Sequence, residues 1–165
     1  MKILGVDPGL ATTGWGVLEN SGSGASLIDC GYISTASKTP VHERLFKIFS
    51  CLDDIIRSLG PSVLAVEELF FSKNAASVFA LGQARGVILL LARKKGLEIF
   101  EYNPRSVKIA LTGYGSADKN QMQNMVKSLL LLEKIPRPDD VADAIAIALC
   151  HINTNSLNEK IKAAR

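Results

Sequence analysis

Apolar residues recur along this chain with two different periods. Ile3-Leu4-Gly5-Val6 is a continuous apolar run, closed by Asp7 and then Pro8-Gly9, which predicts a buried strand ended by a turn. Thr13 to Leu18 predicts a second strand, the polar segment Glu19 to Gly24 a hairpin turn, and Ser26 to Ser34 a third strand. The period then changes. Val41, Leu45, Ile48, Phe49, Leu52, Ile55, Ile56 and Leu59 fall at helical spacing over 40–59, and Pro61 stops the helix. Val63-Leu64-Ala65-Val66 shows no alternation, as expected of a central strand covered on both faces.

Ala75 to Lys95 reads as one long helix or two, with small residues at Gly82, Ala84 and Gly86. Leu97 to Tyr102 predicts a fifth strand. Helices follow over 104–111, 119–132 and 140–152, with Gly113-Tyr114-Gly115 as a loop. Three strands, then helix, strand, helix, strand and closing helices make an α/β domain with a five-stranded mixed sheet flanked by helices. At 165 residues there is room for one full core.

Composition narrows the chemistry. Aromatics make up 6% against 47% hydrophobic residues, so the core is aliphatic. The apolar run Val87 to Ala92 is six residues, far short of a bilayer span, and the start of the chain lacks a signal-peptide pattern. Cys30, Cys51 and Cys150 are odd in number and far apart; they form neither a disulfide framework nor a zinc pattern, and a reducing cytoplasm is the expected location. With His42 and His151 the only histidines, a metal site would be built mostly of carboxylates, which select hard ions.

Three places supply such carboxylates. Asp7 ends the first strand and Glu67 ends the fourth, and ligands gather at the carboxyl ends of strands in open α/β sheets. An Asp before Pro-Gly also serves as a plain turn former, and a charged residue often ends a strand for solubility. Glu68 should point to the opposite face from Glu67 and is read as solvent-facing. The third place is Asp139-Asp140-Val141-Ala142-Asp143. Helix capping accounts for Asp139 or Asp140, but Asp143 lies among small and branched apolar residues, and a buried carboxylate needs a partner. Asp140 and Asp143 share a helix face, and so could Asp139 and Asp143. Four acids on two strand ends and one helix suit a two-metal phosphodiester hydrolysis site, with Asp7 as candidate bridge between the ions.

These segments resemble the RuvC-type crossover junction endodeoxyribonucleases, which resolve Holliday junctions and have a ribonuclease-H-like fold. The matching strings are Gly5-Val6-Asp7-Pro8-Gly9, Thr13-Gly14-Trp15-Gly16-Val17, Ala65 to Phe70, Lys73-Asn74, Leu81-Gly82-Gln83-Ala84-Arg85-Gly86, Val107-Lys108, Gly113 to Lys119 and Asp140 to Ala144. They run in family order from Ile3 to His151. The first string is also common among ribonuclease-H-like and actin-like proteins; the Leu-Gly-Gln-Ala-Arg-Gly and Gly-x-Gly-Ser-Ala-Asp-Lys strings are far more specific.

The resemblance implies a four-acid site at Asp7, Glu67, Asp140 and Asp143, with Asp139 left as cap or neighbour. It implies Mg²⁺, two ions per site, with Mn²⁺ as an alternative. It implies DNA contacts through Phe70, which could stack on an unpaired base, and through Lys108 and Lys119, which could reach phosphates; Lys73, in the same loop as Phe70, could reach a phosphate too. It also implies a homodimer joined near Gly82, Arg85 and Gly86, and a branch-migration helicase complex of the RuvA and RuvB type as partner. Residues 1–155 would be the nuclease domain and 156–165 a short basic tail. Formal net charge is +3, and setting the four acids aside leaves +7 on the remaining surface, consistent with a DNA track around an acidic centre. Three other readings fit less well. An enzyme trimming ribosomal RNA precursors shares the opening Asp-Pro-Gly but lacks the Gly-x-Gly-Ser-Ala-Asp-Lys string. An actin-like kinase needs two such domains. A catalytically silent junction-binding module would not need all four acids.

Overall fold

The computed structural model describes residues 1–22, 24–68 and 75–163, and the side chains up to Asn155 apart from Ala75 and Ala76. The elements are β1 (Lys2–Asp7), β2 (Thr12–Asn20), β3 (Ala25–Ser34), α1 (Val41–Leu59), β4 (Val63–Glu67), α2 (Ala75–Lys94), β5 (Glu98–Tyr102), α3 (Pro104–Thr112), α4 (Lys119–Leu129) and α5 (Asp139–Ala163). The strands form one sheet in the order β3-β2-β1-β4-β5. β1 pairs with β2, and β2 with β3, antiparallel; β1 pairs with β4, and β4 with β5, parallel. The chain leaves β1 toward one side of the sheet and leaves β4 toward the other. Such a switch of direction opens a crevice at the carboxyl ends of the two strands.

Strand alternation sorts the sheet residues into two cores. Leu4, Val6, Leu64 and Val66 pack with α1 and α2. Ile3, Val63 and Ala65 pack on the other face with α3, α4 and α5. Helix α5 crosses β1 and β2 on that second face, and three glycines let it come close. A Cβ on Gly5 would stand 2.1 Å from the Ala144 carbonyl oxygen, one on Gly14 2.0 Å from the Asp140 carbonyl oxygen, and one on Gly16 2.6 Å from Cγ1 of Ile145. The helix reciprocates with Ala142, Ala144, Ala146 and Ala148, all buried.

The expected mixed five-stranded sheet is present, and 75–94 is one helix. β2 runs on through Glu19 and Asn20, and two helix ends differ more from expectation. α4 stops at Leu129 because the chain turns back there: Leu131 adopts φ 52°, and the Leu132 N–H donates to the Lys127 carbonyl at 2.9 Å. α5 runs past Ile152 to Ala163, since no glycine or proline interrupts it. No helix among the described residues is long and apolar enough to cross a membrane.

The glycine contacts carry a stability prediction. Gly5→Ala forces a methyl group into helix backbone and should cost about 1–3 kcal/mol. Gly86→Ala meets open space within the helix of a single chain and should stabilise the monomer, at concentrations too low for dimerisation, by roughly 0.5–1 kcal/mol. Urea unfolding of the two variants beside the wild type checks both signs.

Candidate active site

Alternation also decides where the strand-end acids point. Ile3 and Gly5 face α5, so Asp7 faces α5; Val63 and Ala65 face the same core, so Glu67 does too. The Val6–Val66 register sets the two carboxylates at neighbouring carboxyl strand ends. From above, α5 brings Asp143 to the same place. Asp7, Glu67 and Asp143 line one cleft of about 230 Å³, together with Lys108, Lys119, Val107 and Met122. Asp140, one helical turn before Asp143, lines an adjoining groove with Gly9 to Thr12. Glu68 is exposed, as expected of its opposite orientation.

The electrostatics are those of crowded, half-desolvated acids. Burial pushes the Asp7 carboxyl up to about 8, and the charges of Glu67, Asp143 and Asp140 add to the shift, while Lys119 opposes it. Glu67 is raised by burial and then by Asp143. Asp143 is raised by burial, with Lys119 pulling the other way. Asp139 behaves oppositely. Lys119 donates to it at 3.1 Å, Gln123 Nε2 at 3.0 Å, and Arg137 as well, so its carboxyl is held below the usual range. It is a carboxylate already supplied with donors, at the first position of α5.

Lys119 is the cleft lysine in direct contact with the acids. It is the first residue of α4, whose N-cap Asp118 forms a reciprocal capping box with Gln121. From there its Nζ reaches Asp139 and, at 3.6 Å, Asp143. Lys108 is half-buried in the same cleft, one turn before the end of α3. Phe70 and Lys73 lie outside the described residues. Gly82 and Gly86 lie on α2, away from the cleft. Arg85 is bonded within its own chain: Nε donates to the Glu67 carbonyl at 3.1 Å, and the guanidinium pairs with Glu101. It ties α2 to the ends of β4 and β5, beside Glu67.

The donor set is chemically suited to hard divalent cations. All four groups are carboxylates, and a cation would offset the burial, and after it the mutual repulsion, that raise Asp7. The fit is one of charge and not of a finished cage: among the described residues, no three acidic, histidine or cysteine side chains converge closely enough to ligate one ion as they stand. Lys119 occupies part of the space between Asp139 and Asp143.

Comparison with known proteins rests on the same segments. The family model for crossover junction endodeoxyribonuclease RuvC matches residues 3–151. The chain belongs to the RuvC family. A relative bearing that name in Caldicellulosiruptor saccharolyticus is 51% identical over 157 residues, covering 94% of this chain and 95% of its own. Another, in Caldanaerobacter subterraneus, is 44% identical over the full length of both chains. Among solved structures, Thermus thermophilus RuvC in complex with a Holliday junction substrate superimposes with a TM-score of 0.87 at 32% identity, over 95% of this chain and 96% of that one. The ribonuclease-H-like architecture expected of RuvC proteins is therefore the observed one.

Sequence reasoning did not find the roles of Gly5, Gly14, Gly16 or Arg85. Glycines at alternate positions in a strand signal close backbone approach, and Gly14-Trp15-Gly16 carries that signal.

The raised Asp7 carboxyl gives a pH prediction. Its ordinary value is 3.8 and its folded value about 8, so the native state binds the extra proton and the carboxyl costs stability progressively as pH rises from about 4 to about 8. Asp7→Asn should therefore be more stable than wild type at pH 8 without divalent ions, by on the order of 1–3 kcal/mol. The difference should shrink toward pH 4. Chemical denaturation at the two pH values, in chelator, measures it.

Proposed function

We propose that this chain is a structure-specific DNA endonuclease that resolves four-way junctions by paired, symmetric nicks, through phosphodiester hydrolysis assisted by two divalent cations. The observation that carries the proposal is Asp7, held half-buried at the end of the central strand, with three other acids around it and two lysines in the same cleft. Membership of a family whose members are named crossover junction endodeoxyribonucleases supports the activity, and the junction complex of the Thermus relative supports the substrate.

In this reading Asp7, Glu67, Asp140 and Asp143 would hold the cations, Asp7 serving both. When bound, the cations stabilise the attacking and leaving oxygens of an in-line displacement. Mg²⁺ is the expected ion and Mn²⁺ a substitute. The protein's own groups do the rest. Glu67 is held on a strand end that Arg85 braces. Lys119 offsets acid charge until DNA arrives and is then available to a phosphate, and Lys108 contacts the backbone from the far wall. Asp139 keeps Lys119 directed at the site and is not itself a ligand. Phe70 and Lys73 are proposed contacts to the junction crossover and its phosphates.

Two nicks of like polarity require two sites, hence a homodimer. On α2, Phe79, Gly82, Gly86 and Leu90 share one helical face; Phe79 is 70% and Leu90 67% exposed. That apolar stripe with small residues at its middle supports an interface there. Arg85 braces Glu67 from the same helix. A cytoplasmic location and a helicase complex of the RuvA and RuvB type belong to the same reading.

Two experiments test it. A synthetic four-way junction and a matched linear duplex are incubated with wild type and Asp7→Asn, with and without Mg²⁺. Metal-dependent paired nicks on the junction alone, reduced at least a thousandfold by the substitution, are expected; equal cutting of linear duplex or RNA would refute the reading. Separately, Phe79→Glu should raise the dimer dissociation constant at least a hundredfold in sedimentation equilibrium and turn paired nicks into single ones.

A further inference from the structure

The groove on the far side of Asp140 contains a charge that the four-acid reading does not use. It is lined by the turn from Gly9 to Thr12, by Arg44 of α1, by Ser77 and by Asp140. Arg44 is half-buried and held in place. Its Nε donates to Thr35 Oγ1 at 2.7 Å, and the Thr35 hydroxyl donates in turn to the Leu10 carbonyl in the turn after β1. The guanidinium is thus fixed to the loop that leaves Asp7. Arg44 does not pair with Asp140; the ion pairs among the described residues do not include it. A cation anchored through one nitrogen, with the fork of its other two nitrogens unpaired among the described residues and beside a carboxylate of the site, is placed to receive an oxyanion.

The disposition of charge supports this. Lys108 and Lys119 line the cleft on one side of the acids, and Arg44 lines the groove on the other. A strand laid across the carboxylates presents a phosphate to each side as well as the one at the centre. From this geometry we infer that Arg44 is a phosphate-positioning residue, which grips a backbone phosphate of the cut strand next to the one hydrolysed and so sets the register of the strand over the acids. The inference rests on the junction-nuclease reading above and adds a second phosphate site to it.

The test measures the salt dependence of junction binding in an Asp7→Asn background and nicking rates in the wild-type background. Arg44→Gln keeps a donor for Thr35 and removes the charge. It should weaken binding roughly tenfold and lower the slope of log affinity against log salt by about 1. Thr35→Val keeps the charge and frees the guanidinium. It should leave the slope unchanged and slow nicking roughly three- to tenfold. Arg57, paired with Asp53 and Asp54 at the far end of α1, supplies the control. Arg57→Gln should alter neither quantity. A slope for Arg44→Gln equal to that of the parent, or an equal drop for Arg57→Gln, would overturn the inference while leaving the nuclease reading intact. A wild-type chain that neither binds nor cuts junctions would overturn both, so the two failures are distinguishable.

Discussion

Helix α5 reaches the middle of the sheet because Gly5, Gly14 and Gly16 present no side chain to it. Backbone oxygen of the helix stands where two of those Cβ atoms would be. That contact fixes the height of α5 over β1 and β2, and with it the distance from Asp143 to Asp7 and Glu67. The same helix is lined with alanines toward the sheet and is buried along most of its first half. Close packing of this kind tolerates little change in volume. The site is thus an outcome of core packing: two acids arrive on strands, two on a helix, and the glycines bring the three elements together.

The packing works against a strong electrostatic cost. Asp7 sits where burial and three like charges all favour its neutral form. Lys119 relieves part of that cost, and Asp139, bonded to Lys119, Gln123 and Arg137, keeps the lysine in reach. A fold selected for stability alone would not retain such a cluster. Divalent cations held by these carboxylates would offset that cost and place positive charge beside a phosphate. Arg85, bonded to the Glu67 carbonyl and to Glu101, stiffens the strand ends against the same repulsion.

Much of this was legible in the sequence. Strand and helix periods identified the five strands, and Asp143 stood out because capping explains Asp139 and Asp140 but not an acid inside an apolar helix. Spacing could not choose between Asp139 and Asp140, because both lie on the Asp143 side of the helix. The structure separates them through their partners: Asp139 is engaged by three donors, whereas Asp140 faces the groove of the β1–β2 turn. Arg85 was read with the small residues beside it as an interface residue, and only the fold reveals that its side chain turns inward to Glu67. Long-range pairings of this sort leave no local period. The end of α4 was missed for a related reason: a leucine at φ 52° carries no turn signature.

The most direct measurement of the central claim is anomalous diffraction from crystals of this chain grown with Mn²⁺. The account predicts manganese peaks between β1, β4 and α5, ligated by Asp7 together with Glu67, Asp140 and Asp143, and not by Asp139 or Glu68. Manganese bound elsewhere, or bound at this cleft without Asp7 among its ligands, would contradict it.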